Sequence, residues 1–151
     1  MKSIFDDVSN DCSKIVTKTY STSFSLATKM LSKKIRQHIY NIYGFVRFAD
    51  EIVDSFHDYN KEMLFKDFSS DLEKSLKNKI HLNPILNSFQ ATYHKFNIDK
   101  DLVDSFMSSM KKDLYKTKYM SNQEYEDYIY GSADVVGLMC LKVFVNGNAK
   151  K

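Results

Sequence analysis

The sequence predicts an all-α fold, and three observations carry that reading. Four glycines and one proline in 151 residues are too few for the tight turns of an all-β chain. Apolar residues recur every three or four positions along most of the chain, the period of an amphipathic helix. Helix-start signals stand at intervals, at Ser32, Asn83-Pro84, Asp99 and Ser121-Asn-Gln-Glu124. The length fits a single domain, 1–151, and a hydrophobic content of 43% supplies a sizeable core.

Residues 3–17 read as the first helix, with Ile4, Val8, Cys12, Ile15 and Val16 at helical spacing. The hydroxyl-rich Lys18-Thr-Tyr-Ser-Thr-Ser-Phe-Ser-Leu26 then marks a helix start or a break. Ser21 and Ser23 there either cap a helix or, beside free N–H groups, offer hydroxyls to an anion. Ser32 caps a central helix over about 33–57, whose core stripe is Ile35, Ile39, Ile42, Val46 and Val53. His38 and His57 have no partner at ligand spacing and read as surface residues. A further helix spans about 61–77, with Met63, Leu64, Phe68, Leu72 and Leu76 inward.

Asn83-Pro84, an N-cap followed by proline at the first helical position, opens a helix to about residue 96. Asp99 caps the next, 100–115, with Leu102, Val103, Phe106, Met110 and Leu114 inward. Ser121-Asn-Gln-Glu124 is a capping box opening a last helix over about 122–146, which carries Tyr125, Tyr128, Tyr130, Val135, Val136, Leu138, Met139, Leu141 and Val143. Gly131 and Gly137 sit inside it, where a glycine costs about 1 kcal/mol relative to alanine. Two within seven residues predict close approach by another helix or a ligand, with a kink. Asn146-Gly-Asn148 ends the helix, and the final Ala-Lys-Lys reads as unstructured.

Charge and cysteine usage narrow the function classes. The 22 basic residues are interspersed with 19 acidic ones for a net +3, which argues against a nucleic-acid binder and for a general affinity for anions. Cys12 and Cys140 are far apart and lack metal-ligand spacing, so a reduced, cytoplasmic setting is expected. The N-terminus MKSIFDDVSND is acidic and carries no signal-peptide pattern. The longest apolar run, 135–141, is too short to span a bilayer. A soluble protein is expected, at most peripheral at a membrane surface.

One stretch of the central helix carries chemistry. Tyr43, Arg47, Asp50 and Asp54 are spaced 4, 3 and 4 residues apart, which places them within about 60° on one helical face. Two carboxylates at i and i+4 repel by roughly 0.2–0.5 kcal/mol on an exposed helix and by more where water is scarce. Taken alone, such a pair is usually a solvated face. Here the intervening residues are Phe45, Val46, Phe48, Ala49, Ile52 and Val53, too apolar for that. A divalent cation turns the repulsion to use, and Mg²⁺ takes oxygen ligands from one or two carboxylates together with substrate phosphates. The face is read as holding Mg²⁺ against a diphosphate. Asp113, near a helix C-terminus where an acid opposes the macrodipole, either has a partner elsewhere or is a surface carboxylate beside Lys111 and Lys112.

Four stretches in register resemble the squalene and phytoene synthase family of head-to-head prenyltransferases. They are Ser21-Thr-Ser23-Phe24; Tyr43-x-x-x-Arg47-x-x-Asp50-Glu51-x-x-Asp54; Met110-Lys-Lys-Asp113-Leu with Tyr119; and Tyr128-Ile-Tyr-Gly-Ser-Ala133-Asp-Val-Val-Gly137-Leu-Met. The resemblance runs from about residue 18 to 145. It implies an isoprenoid-synthase-type helical bundle with a central cavity, and condensation of two prenyl diphosphates through a cyclopropylcarbinyl diphosphate. It also implies Mg²⁺, or Mn²⁺ in its place, on Asp50 and Asp54, with Arg47 as a further cation at the leaving group. Ser21 and Ser23 would bind diphosphate oxygens and Tyr43 would lie at the cavity wall. Phe24, Tyr43 and Tyr128 would offer π-faces to a carbocation, and Ala133 and Gly137 would leave room for a long chain.

The implied reaction is phytoene formation from two geranylgeranyl diphosphates in carotenoid biosynthesis. The alternatives are squalene or dehydrosqualene formation from farnesyl diphosphate, and a non-catalytic prenyl-diphosphate binder or assembly subunit. The sequence departs from the family in three places. Tyr20 stands where some relatives have histidine. Asp134 stands where a small residue is usual. The family's second aspartate-rich motif is not reached, so the chain is expected to be the N-terminal part of a longer enzyme or a truncated product, and as it stands inactive or nearly so.

Overall fold

The computed structural model describes residues 1–115 and 121–145, the side chains of Tyr125 and Ile129 excepted. Among the described residues the chain is helical throughout, without strands. The elements are α1 (Lys2–Tyr20), α2 (Thr22–Lys29), α3 (Lys33–Asp54), α4 (Lys61–Asn78), α5 (Pro84–Lys95), α6 (Lys100–Tyr115), α7 (Asn122–Ile129), a π-helical turn (Tyr130–Asp134) and α8 (Val135–Phe144). Two of the expected caps form, while Ser32 precedes α3 without a side-chain capping hydrogen bond. Asn83 accepts from the amides of Ile85 and Leu86, and Ser121 and Glu124 close the capping box. Tyr119 and the helix end expected at Asn146-Gly-Asn148 lie outside the described residues.

Helix α3 is the hub, packing against α1, α2, α4, α5, α6 and α8. At its centre the Phe45 ring is fully buried. It stacks on Phe89 at 4.2 Å and lies 5.5 Å from Phe106 and 6.0 Å from Phe68, so one side chain joins α3 to α4, α5 and α6. Ile39, Ile42 and Val53 are buried beside it as the spacing predicts, with Ile35 and Val46 partly covered. Helix α3 stops at Asp54, three residues short of the expected end.

Helix α1 packs in an unexpected way. Its apolar stripe is largely outside, with Ile4 58%, Val8 51% and Ile15 62% exposed. The fully buried residues are Ser9, Ser13 and Thr17, four apart and therefore on one face. Small side chains there let α1 approach α3 closely: a β-carbon at Gly44 would lie 2.8 Å from Ser13 Oγ. The polar atoms of this seam are satisfied, as burial demands. Ser13 and Ser88 share a 2.6 Å hydrogen bond, Asn87 Nδ2 donates to Asp6 and Ser9, and Asn41 Nδ2 donates to Asn10 and Thr92. His38 belongs to the same network. Its Nδ1 lies 2.9 Å from Thr92 Oγ1 and its ring meets the edge of Phe96. Burial, helped by Lys95, pushes its pKa down to about 4, so it is a neutral, partly buried histidine rather than a surface one. His57 is exposed, as expected.

Two further expectations are corrected. In α4 the inward residues are Phe65, Phe68, Leu72 and Leu76, while Met63 and Leu64 face out. The last helix is broken: α7 and α8 are joined by the π-turn, in which Ser132 Oγ donates to Tyr128 O at 2.6 Å. Of the two glycines, only Gly131 marks close approach. A β-carbon there would sit 1.7 Å from Ser109 Oγ and 3.1 Å from Ser105 O of α6, whereas at Gly137 it would meet nothing within 4 Å. Val135, Met139 and Val143 pack inward, and Leu138, Leu141 and Phe144 face out. No described helix is long and apolar enough to cross a membrane.

The glycine pair gives a direct test. Gly131→Ala is expected to lose about 1–3 kcal/mol of stability by forcing α6 and the π-turn apart. Gly137→Ala is expected to be neutral or to gain up to about 1 kcal/mol from helix propensity. Urea unfolding followed by circular dichroism measures both.

Candidate active site

The site is built where the C-terminal half of α3 meets α6 and α7. Asp50 lies in the penultimate turn of α3, and Asp54 is its exposed last residue, one turn further on. Burial pushes the Asp50 pKa up to about 6; Arg47 opposes the rise, and Asp54, Asp113 and Glu51 add to it by repulsion. Asp113 of α6 is raised for the same reasons, by burial first and then by Asp54, with Lys61 opposing. The phenol of Tyr128, from α7, is raised by burial and then by Asp113, Asp50 and Asp54. Four acidic groups from three helices therefore share one partly dry region. Asp113 thus lies within electrostatic reach of Asp54 on α3 and of Lys61 on α4. Beyond it a cavity of about 410 Å³ opens between α6 and α7, lined by Ser109, Lys112, Asp113, Glu124, Asp127 and Tyr128, with Tyr115 at its edge.

Arg47 stands one turn before Asp50. Its Nη1 is 3.9 Å from Asp50 Oδ2 and its Nη2 is 3.7 Å from Glu51 Oε1. These are long ion pairs, so neither acid holds the guanidinium tightly. Its Nε is buried and has no hydrogen-bond partner among the described residues. The guanidinium carbon lies 4.9 Å over the Tyr20 ring.

The α1–α2 corner supplies the other wall. Ser21 ends α1, its N–H bonding to Thr17 O, and caps α2 by accepting the Phe24 N–H at 3.1 Å. Capping uses a lone pair, so the hydroxyl proton is still free to donate. Ser23 is exposed in the first turn of α2. The Phe24 ring stacks on Tyr43 at 4.8 Å and 23°, which holds this corner against α3 one turn before Arg47. Tyr43, Arg47, Asp50 and Asp54 thus share one side of α3, Ser21 and Ser23 stand at the start of α2 whose Phe24 ring meets Tyr43, and the acids act electrostatically on Tyr128 of α7. Ala133 and Gly137 stand exposed in the π-turn and α8, and no described contact joins them to the acid cluster. Sequence reasoning passed over Glu51, whose position four residues after Arg47 on the same helix was the available signal.

The donor set suits a hard cation. Among the described residues no three His, Cys, Asp or Glu side chains come together closely enough to hold a metal ion on their own. Mg²⁺ does not need such a cage, because it keeps waters and uses one or two carboxylates with substrate phosphates. Asp50, raised by burial among like charges, is the carboxylate such an ion would relieve.

Comparison with known proteins places the sequence and the fold. The sequence matches the Squalene/phytoene synthase family over residues 17–151. It is 27% identical over 144 residues to phytoene synthase 2, chloroplastic, of Zea mays, covering 93% of this chain and 35% of that one. The fold superimposes on a crystal structure of a dehydrosqualene synthase with a TM-score of 0.80 at 22% identity, over 91% of this chain and 48% of that one. Against squalene synthase HpnC from Alicyclobacillus acidocaldarius the TM-score is 0.83 at 20% identity, over 97% of this chain and 55% of that one. The chain therefore spans between a third and a little over half of the length of these proteins. With the matching region covering nearly all of its residues, the chain belongs to the squalene/phytoene synthase family.

Proposed function

We propose that the Asp50 face binds the diphosphate of a prenyl diphosphate together with Mg²⁺, in a protein that condenses two such substrates head to head. The substrate favoured is geranylgeranyl diphosphate and the product phytoene, since the relative in maize is a phytoene synthase. The observation that carries the reading is the Asp50 carboxylate itself. It is half-buried, flanked by Asp54 and Asp113, and displaced to a pKa of about 6, an arrangement that a bound cation would stabilise.

Each group then has a task. Bound Mg²⁺ would neutralise charge on the diphosphate as the allylic C–O bond breaks and the bonding pair leaves with oxygen. Asp50 and Asp54 would hold the ion. Arg47 would place a permanent positive charge beside the departing oxygens, where developing charge is most effectively stabilised. Ser21 and Ser23 would donate hydroxyl protons to the same group. The Phe24–Tyr43 stack would present π-density to the allylic cation while excluding water. Tyr128, its phenol raised, would stay neutral at physiological pH, so it would line the pocket without adding a nucleophilic phenolate. Ala133 and Gly137 would leave space for the isoprenoid chain.

Two tests separate this reading from its rivals. Calorimetry with a non-hydrolysable geranylgeranyl diphosphate analogue is expected to show binding with Mg²⁺ that EDTA abolishes. Asp50→Asn should weaken it at least tenfold, about 1.4 kcal/mol. Unchanged affinity in that variant would remove Asp50 from the site. Product analysis separates the remaining options: preferential use of farnesyl diphosphate would assign squalene-type chemistry, and metal-dependent binding without product would assign a binder.

The same substitution tests the electrostatics without ligand. Asp50 binds its proton more tightly folded than unfolded, because its pKa rises from 3.8 to about 6. Its stabilising contribution is therefore complete below the unfolded value and is lost as pH rises through the folded one. Asp50→Asn should match the parent near pH 4 and exceed it by about 1–3 kcal/mol above pH 7, after allowance for solvent screening. Urea midpoints at the two pH values decide it.

A further inference from the structure

The α1–α2 corner meets α3 at a point the proposed chemistry has not used. Tyr20 is the last residue of α1, immediately before the Ser21 cap. Nearly half of its surface, 48%, is exposed, so it is no core residue. Even so, its ring lies under the Arg47 guanidinium at 4.9 Å. On the far side of the guanidinium edge stands Glu51, with Oε1 3.7 Å from Arg47 Nη2. Glu51 therefore lies at the guanidinium edge, four residues after Arg47 on the same helix. Arg47 is thus limited on one face by an aromatic ring and along one edge by a carboxylate. Its long pairing distances to Asp50 and Glu51 leave the orientation of the head group to be set by the ring. The Nε–H, buried and unpartnered among the described residues, is the donor left over.

We propose that Tyr20 is a positioning residue for Arg47, its ring holding the guanidinium plane so that the head group is presented to an anionic diphosphate oxygen. The proposal rests on the reading of this face as a diphosphate site. It assigns the α1–α2 corner a second role besides carrying Ser21 and Ser23: it sets the angle of the Arg47 cation beside Asp50. A planar ring suits this task because it attracts the guanidinium face without competing for its N–H groups.

The test uses two substitutions and two readouts. Tyr20→Phe keeps the ring and loses the hydroxyl; Tyr20→Leu keeps apolar bulk and loses the ring. The first readout is the Arg47 Nε–Hε resonance, which a stacked ring shifts upfield. It should stay shifted in Tyr20→Phe and return to the ordinary arginine position in Tyr20→Leu. The second is calorimetric affinity for inorganic pyrophosphate with Mg²⁺, expected within about twofold of the parent for Tyr20→Phe and roughly two- to fivefold weaker for Tyr20→Leu. Circular dichroism confirms equal folding of both variants. An Arg47 resonance that does not move in Tyr20→Leu would show that the ring does not set the guanidinium, and the proposal fails. A resonance that moves while pyrophosphate affinity is unchanged in Tyr20→Leu, yet lost in Asp50→Asn, overturns the positioning role and leaves the diphosphate site standing. Absence of pyrophosphate binding in the parent sinks the diphosphate reading and the positioning role with it, while the resonance still reports the stacking.

Discussion

Helix α3 has to satisfy two opposed demands, and the rest of the fold is arranged around that conflict. One side of it must sit in the centre of a helical bundle, where Phe45 meets Phe68, Phe89 and Phe106. The side roughly opposite carries Tyr43, Arg47, Asp50 and Asp54. Rings from three other helices lock the rotation of α3 about its axis, since turning it would pull Phe45 from its cluster at several kcal/mol. The charged side is therefore aimed by the core. Because neighbours surround the helix, the same packing strips water from Asp50 and brings Asp113 towards it. The unusual electrostatics of the site follow from the position of α3 in the bundle.

The seam between α1, α3 and α5 shows a different solution to helix packing. Burying Ser9, Ser13 and Thr17 gives up the hydrophobic gain that Ile4, Val8 and Ile15 would have supplied. The return is distance: with Gly44 opposite Ser13, two backbones approach more closely than leucine or isoleucine would allow. Hydrogen bonds through Asn41, Asn87, Ser88 and Thr92 satisfy the polar atoms and tie the register of three helices together. Such networks favour one arrangement over its neighbours, because a shifted register would leave several buried donors unpaired. Register matters here because α1 ends at Tyr20 and Ser21, beside Arg47. A slip of one turn would move the corner about 5.4 Å along α3.

The break in the last helix serves α6 in the same way. Gly131 lets the π-turn lie against Ser105 and Ser109, and the extra residue of a π-turn changes which faces of α7 and α8 look inward. Tyr128, just before the turn, lies within electrostatic reach of the acid cluster, while Val135 and Met139, just after it, enter the core. A continuous α-helix would bring those two sets to other angles.

Much of this protein can be read from its residues. The all-α class, most helix starts and the grouping of Tyr43, Arg47, Asp50 and Asp54 on one face all follow from local rules. Capping chemistry and the 3.6-residue period act within a few residues and need no knowledge of what lies across the fold. What local rules missed shares one physical character, dependence on a neighbour from a distant part of the chain. That His38 is partly buried, that α1 buries hydroxyls, and that Gly131 rather than Gly137 marks close approach were decided by Thr92, by Gly44 with Ser88, and by Ser109. The same holds for the pKa of Asp50. Two carboxylates four residues apart are visible in the sequence, but the loss of water and the approach of Asp113 that displace the proton to about pH 6 exist only once α3 is enclosed.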